Sequence, residues 1–75
     1  MFRFRSKEKK ELEGIIEEMK INLANNYKST AHAARERLGR RVEELNAAGK
    51  LKEEDYRHYR EIFDRYTEML KDYHH

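Results

Sequence analysis

The sequence predicts an all-α protein that forms one small domain, residues 1–75, built around an antiparallel helical hairpin. Proline is absent from all 75 residues, and there are three glycines. Charged residues make up 43% of the chain, yet the net charge is only +2, so oppositely charged side chains can pair along a helix surface. Because Glu, Lys, Arg, Leu and Ala are strong helix formers, long helices are the expected secondary structure.

The first helix is expected over residues 7–47, after a basic N-terminal tail, residues 1–6. Ser6 has the side chain of a helix N-cap. Apolar or small residues then recur every three or four positions: Leu12, Ile16, Met19, Leu23, Tyr27, Ala31, Ala34, Leu38, Val42 and Leu45. Their mean spacing of about 3.67 residues is close to the helical period and matches an eleven-residue repeat. This unbroken stripe favours one continuous helix.

A break near residues 25–30 is the alternative, and it predicts a three-helix bundle. The segment reads Asn-Asn-Tyr-Lys-Ser-Thr, and these six residues together cost a helix about 3 kcal/mol relative to alanine. Ser29 or Thr30 could also cap a new helix. We favour the continuous helix because the stripe keeps its phase across the segment and no Gly or Pro marks a turn there.

The hairpin turn is expected at residues 48–52, followed by a second helix over 53–73. Gly49 suits the left-handed position after a helix C-terminus. Three acidic residues then fall in the first turn of the second helix, where the helix dipole favours them. Apolar residues in this helix follow a heptad spacing: Tyr56, Tyr59, Phe63, Tyr66, Leu70 and Tyr73. The turn residue Lys52 is a poor N-cap, so this helix should fray more readily at its start than a Ser-capped helix.

A continuous first helix leaves five large apolar residues without a partner in the chain: Leu12, Ile15, Ile16, Met19 and Leu23. A patch of this size is too large for a solvated monomer. We therefore expect this face to mediate self-association into a homo-oligomer, a dimer or a tetramer, with a four-helix bundle as the expected closed form.

A basic cluster suggests a second kind of contact. Its members are Arg35, Arg37, Arg40 and Arg41, which could bind the phosphates of a nucleic acid. Glutamates surround them, however, and no helix-turn-helix signature or zinc-finger spacing is present. A solvated or internally paired face is the favoured interpretation, and nucleic-acid binding is the alternative.

Residues 1–10 are the most basic stretch and include Phe2 and Phe4, which could attach to an anionic surface. The stretch is short, so a solubilising tail is favoured over membrane binding. No apolar run is long enough to span a bilayer, and the chain has no cysteine, so a soluble cytoplasmic protein is expected.

Catalytic and metal-binding patterns are weak. His58 lies one helical turn after Glu54 and Asp55, but a bundle metal site needs matching carboxylates that point into the core. No phosphate-binding loop or nucleophile motif occurs. We therefore expect no enzyme activity and no cofactor. The expected function is self-association or contact with an unidentified protein partner, and a nucleic-acid-binding accessory protein is the alternative. The five tyrosines fit the wet margin of a thin bundle, or else a binding surface.

Overall fold

The computed structural model describes residues 6–71, which form three α-helices and no strand. Helix α1 spans Lys7–Ala24, α2 spans Lys28–Ala47 and α3 spans Glu53–Lys71. The prediction of an all-α fold is confirmed, and the architecture is the three-helix alternative. The expectations for the basic tail with its two phenylalanines, and for the end of the second helix at Tyr73, concern residues wholly or partly outside this range.

The prediction of one continuous helix over residues 7–47 is wrong, because the chain reverses after Ala24. Asn26 adopts a left-handed conformation with φ of 65°. Its N–H donates to the carbonyl of Leu23 at 3.0 Å, and the N–H of Tyr27 donates to the carbonyl of Asn22 at 2.8 Å. These two bonds define a Schellman motif, in which asparagine takes the place usually held by glycine.

A polar network ties α1 to α2 across this reversal. The Thr30 hydroxyl lies 2.9 Å from Oδ1 of Asn22 and 3.1 Å from the carbonyl oxygen of Tyr27. The side-chain amide of Asn22 in turn donates to the carbonyl of Glu18 at 2.9 Å. Because Tyr27 occupies the N-cap position of α2 without a side-chain capping bond, Thr30 is the residue that fastens the start of α2 to α1.

The reversal between α2 and α3 uses the same motif with glycine. Gly49 has φ of 73°, as its position in the sequence predicted. Its N–H donates to Asn46 at 3.0 Å, and the N–H of Lys50 donates to Leu45 at 2.9 Å. At the same end of the bundle as this reversal, Ser6 caps α1, since its hydroxyl oxygen accepts a hydrogen bond from the N–H of Lys9 at 3.1 Å.

All three helices contribute to one core, with α2 packed against both of the others. The buried residues of this core are Leu12, Ile15, Ile16 and Met19 from α1, Ala34, Leu38, Val42 and Leu45 from α2, and Tyr59 from α3. Partly buried side chains complete it: Leu51, Tyr56, Ile62, Phe63 and Tyr66. The helix α3 therefore covers the core mainly with aromatic rings that keep one edge in solvent.

The face predicted for self-association lies largely inside this core. Its members were Leu12, Ile15, Ile16, Met19 and Leu23; the first four are buried and Leu23 is half-buried. The premise that these residues lack a partner in the chain is wrong, because the reversal at Asn26 brings α2 back over them. Self-association of the chain stays a prediction, but this face is not available to mediate it in the folded bundle.

Replacing the left-handed asparagine should destabilise the fold. We expect Asn26→Ala to lower the free energy of unfolding by about 1 kcal/mol, because a Cβ atom disfavours positive φ and alanine lacks the short polar side chain with which asparagine offsets this cost. The neighbouring Asn25→Ala is the matched control, since Asn25 is exposed with φ of −93° and should change stability by less than about 0.5 kcal/mol. Urea denaturation measures both, and equal effects would contradict the assignment of the turn to Asn26.

Candidate functional site

Two arginines of the basic cluster bind carboxylates of α1. Nη1 of Arg37 donates to both carboxylate oxygens of Glu18, at 3.0 and 3.1 Å. Arg41 makes a forked contact with Glu11, at 2.6 Å from Nε and 3.1 Å from Nη2, and a further bond of 3.0 Å to Glu44. The hydrogen bonding that Arg41 donates to Glu11 is the main cause that raises the pKa of Arg41 further above its usual value. These arginines clamp α1 to α2.

Arg35 lies apart from the other three arginines, so the cluster is not one continuous basic face. Arg35 points towards α3, where its Nη1 donates to the hydroxyl of Thr67 at 3.2 Å and its guanidinium lies 5.4 Å from the ring centre of Phe63. Its Nε is buried without a hydrogen-bond partner. Arg40 is exposed and lies beside Arg37 and Arg41 along a shallow groove of about 200 Å³, which the carboxylates of Glu11 and Glu44 also line. A phosphate approaching Arg37 or Arg41 would have to displace a carboxylate.

The contact between α2 and α3 depends on a glycine. A Cβ atom built on Gly39 would lie 2.6 Å from Cε1 of Phe63, so the ring occupies space that any other residue would fill. The guanidinium of Arg60 covers the same ring at 4.9 Å. Nearby, the Tyr56 hydroxyl donates to Glu43 at 2.9 Å, and this bond is the main cause that raises the pKa of Tyr56.

The histidine singled out by the sequence lies on the surface. His58 is exposed, and its ring meets the ring of Tyr59 edge-on with centres 5.1 Å apart. Within residues 6–71 no group of three or more His, Asp or Glu side chains is arranged to hold a metal ion. The Tyr59 hydroxyl instead lies 3.2 Å from Oε2 of Glu13, which connects α3 to α1.

Exposed large apolar side chains collect at one end of the bundle. Within residues 6–71 they are Ile21, Tyr27 and Met69, with 52%, 61% and 39% of their surface exposed. Helix α1 ends, α2 begins and α3 ends at this side of the molecule, so the three residues lie at the same end. The opposite end, with the start of α1 and the second reversal, has no residue of this kind within the same range.

Two shallow grooves meet at this end. One has a volume of about 560 Å³ and is lined by Gly14, Glu17, Glu18, Ile21, Asn22 and Thr30. The other has a volume of about 320 Å³ and is lined by Asn22, Tyr27, Lys28, Ser29 and Thr30. Asn22 and Thr30 belong to both. We call the area formed by Ile21, Asn22, Tyr27 and Thr30 the turn-end surface.

Sequence reasoning missed the turn-end surface, although one signal was present. Tyr27 fits the spacing of the apolar stripe, and only the reversal at Asn26 moves it to the outside. Ile21 lies two positions from both Met19 and Leu23, and a two-residue step on a helix points to nearly the opposite side. An isoleucine displaced from the stripe in this way is a sign of an exposed apolar contact.

The chain was compared with protein-family models, with curated proteins and with solved structures, and none of them matches it. Among the described helices none is both long and apolar enough to cross a membrane. Functional assignment therefore depends on the surface chemistry of residues 6–71.

Proposed function

We propose that this chain acts by binding another protein, without catalysing a reaction, and that the turn-end surface makes the contact. The observation that supports this is the grouping of Ile21 and Tyr27 over two adjoining grooves. A single exposed apolar residue is ordinary on a protein surface, but a group of them bordered by polar residues is typical of a protein interface. Tyrosine is also enriched among the residues that dominate binding energy.

The composition of the turn-end surface matches the usual layout of an interface. Apolar area at Ile21 and the ring of Tyr27 would form the centre, while Asn22, Thr30 and the charged residues around them would form the polar rim. The carboxylates of Glu17 and Glu18 line the groove beside Ile21. A partner that presents an apolar side chain flanked by a cation would complement this groove.

Nucleic-acid binding, the alternative from the sequence, has less support. Arg35, Arg37 and Arg41 each contact a side chain of the same molecule, and acidic residues border the groove beside Arg40. Phosphate binding at Arg37 or Arg41 would therefore have to replace existing ion pairs, which, among the described residues, leaves Arg40 alone as an exposed cation in this groove.

Site-specific photo-cross-linking tests the proposal. The photoreactive residue p-benzoylphenylalanine would replace Tyr27 in one variant and the exposed Glu54, at the opposite end of the bundle, in a matched control. Irradiation in the cells that produce the chain should give one discrete adduct from position 27 and none from position 54. An adduct of twice the mass of the chain would identify a second copy as the partner, and a larger one a different protein.

A second substitution makes the result specific. Ile21→Glu should reduce the yield of the adduct roughly tenfold, because a charge at the centre of an interface is poorly tolerated. Circular dichroism should show an unchanged fold, since Ile21 is half exposed. Equal adducts from positions 27 and 54, or an adduct that Ile21→Glu leaves unchanged, would contradict the proposal.

A further inference from the structure

The connection between α2 and α3 contains a single residue that opposes helix formation. This residue is Gly49. Its neighbours on both sides are strong helix formers: Ala47, Ala48, Lys50, Leu51 and Lys52. The backbone oxygen of Lys52 accepts the first hydrogen bond of α3, from Tyr56 at 2.9 Å, but lysine has no side-chain oxygen to cap the helix. The reversal therefore depends on Gly49 and its φ of 73°.

Helix α3 should also require the least free energy to separate from the other two helices. Two of its residues are buried, Tyr59 and Leu70, whereas α1 has four buried residues and α2 has six. The ion pairs that anchor it lie near the surface: Lys9 with Asp55 at 3.4 Å and Arg60 with Glu43 at 3.4 Å. Partly solvated pairs of this kind contribute little to stability, and segments with few buried contacts open first.

The groove that α3 occupies is shaped for this one helix. Gly39 leaves a slot for the ring of Phe63, and Arg35 lies in hydrogen-bond contact with Thr67 at 3.2 Å. Glu43 accepts the hydroxyl of Tyr56 at 2.9 Å. Every copy of the chain carries the helix that satisfies these contacts, so a second copy can supply it without any new interface.

We propose that α3 is exchangeable: it leaves the α1–α2 hairpin as a unit, and the α3 of a second copy takes its place to form a reciprocal dimer. In this dimer α2 and α3 continue as one helix on the order of 65 Å long, at 1.5 Å per residue. The contacts within each bundle are retained, and the dimer differs from the monomer mainly at the connection, which is why exchange is a low-cost route to association. The turn-end surface takes no part in it.

Gly49 is the residue that keeps the chain closed. Glycine adopts the left-handed conformation without steric cost and weakens a helix that passes through it. Alanine disfavours the left-handed conformation and favours a helix. Gly49→Ala should therefore both destabilise the closed monomer and stabilise the continuous helix of the exchanged dimer. We expect the dissociation constant of the dimer to fall by about a hundredfold or more.

Light scattering on purified full-length chains, over a wide concentration range, tests this expectation. Gly49→Asn is the matched control, because asparagine already holds φ of 65° in the same motif at Asn26. Gly49→Ala should have twice the 9.2 kDa mass of the chain at concentrations where the wild type and Gly49→Asn are monomers. A helical Gly49→Ala that stays monomeric at every concentration, or that behaves like Gly49→Asn, would overturn the proposal.

Zero-length cross-linking of the wild type tests the arrangement without any substitution. Isotopically light and heavy chains are mixed at high concentration, warmed to the edge of unfolding, cooled and treated with a carbodiimide, which joins Lys9 to Asp55 across their 3.4 Å contact. In the isolated dimer an exchanged α3 makes this cross-link connect two chains, so light–heavy peptides should appear in the proportion expected for random pairing. A dimer with only light–light and heavy–heavy peptides, or no dimer at all, would overturn the exchange.

Discussion

Replacing Met19 with glutamate is expected to unfold the entire chain. The side chain of Met19 is completely buried between the helices, with 0% of its surface exposed. A carboxylate there would have no cation to pair with, and an unpaired buried charge costs several kcal/mol. A bundle of this size has a total stability of only about 3–5 kcal/mol, so the folded state of Met19→Glu should not be populated.

The same substitution distinguishes the three-helix bundle from the hairpin dimer that the sequence first suggested. In a dimer joined through Met19, the glutamate would separate the subunits and leave helical monomers. In the bundle it should abolish the helical circular dichroism signal. The matched control is Ile21→Glu in the same helix, which is 52% exposed and should change the free energy of unfolding by less than about 0.5 kcal/mol. A cooperative thermal transition for Met19→Glu at the wild-type temperature would contradict the packing of α1 described above.

The sequence predicted the core residues better than the path of the chain. Leu12, Met19 and Leu38 were assigned to the apolar stripe, and each is buried. The error came from treating the phase of the stripe as evidence of continuity. In the three-helix bundle α1 and α2 each present an apolar stripe to the same core. An apolar stripe is therefore expected on both sides of residues 25–30, whether or not the helix breaks there. The spacing of four residues before and after Tyr27 aligns the stripes of α1 and α2 in the sequence by coincidence, and Tyr27 itself is 61% exposed.

The informative signal in that segment was Asn26. Among residues with a side chain, asparagine is the one that most readily ends a helix in the left-handed conformation, and the chain uses it where glycine would be usual. Two Schellman motifs, at Asn26 and at Gly49, therefore define the architecture. The first is hard to predict from the sequence, because neither Gly nor Pro, the residues that most clearly mark a turn, occurs in this segment.

The basic cluster shows why closeness in sequence does not define a surface. Arg35 and Arg37 are two positions apart, which on a helix separates them by about 200°. One therefore meets α3 and the other α1, and each finds a partner there. This division could have been derived from helical geometry alone. The identity of the partner residues could not, because it depends on where α1 and α3 pack.

Gly39→Ala should destabilise the chain, although alanine normally favours a helix over glycine. The gain in helix propensity is at most about 1 kcal/mol. The added methyl group would lie 2.6 Å from the ring of Phe63, so the ring, or α3 together with it, would have to shift, and overpacking of this kind costs about 1–3 kcal/mol. We expect a net loss of about 1 kcal/mol in the free energy of unfolding, measured by urea denaturation.

Gly14→Ala is the control that isolates this contact. Gly14 also lies inside a helix, but nothing approaches within 4 Å of its added Cβ, so the same substitution should stabilise the chain by about 0.5–1 kcal/mol. Because the backbone change is the same at both glycines, the opposite signs would assign the difference to Phe63. Trimming the ring with Phe63→Leu should then be less harmful in Gly39→Ala than in the wild type, which a double-mutant cycle measures. If Gly39→Ala stabilises the chain as Gly14→Ala does, the ring moves aside freely and the close approach of α2 and α3 does not depend on glycine.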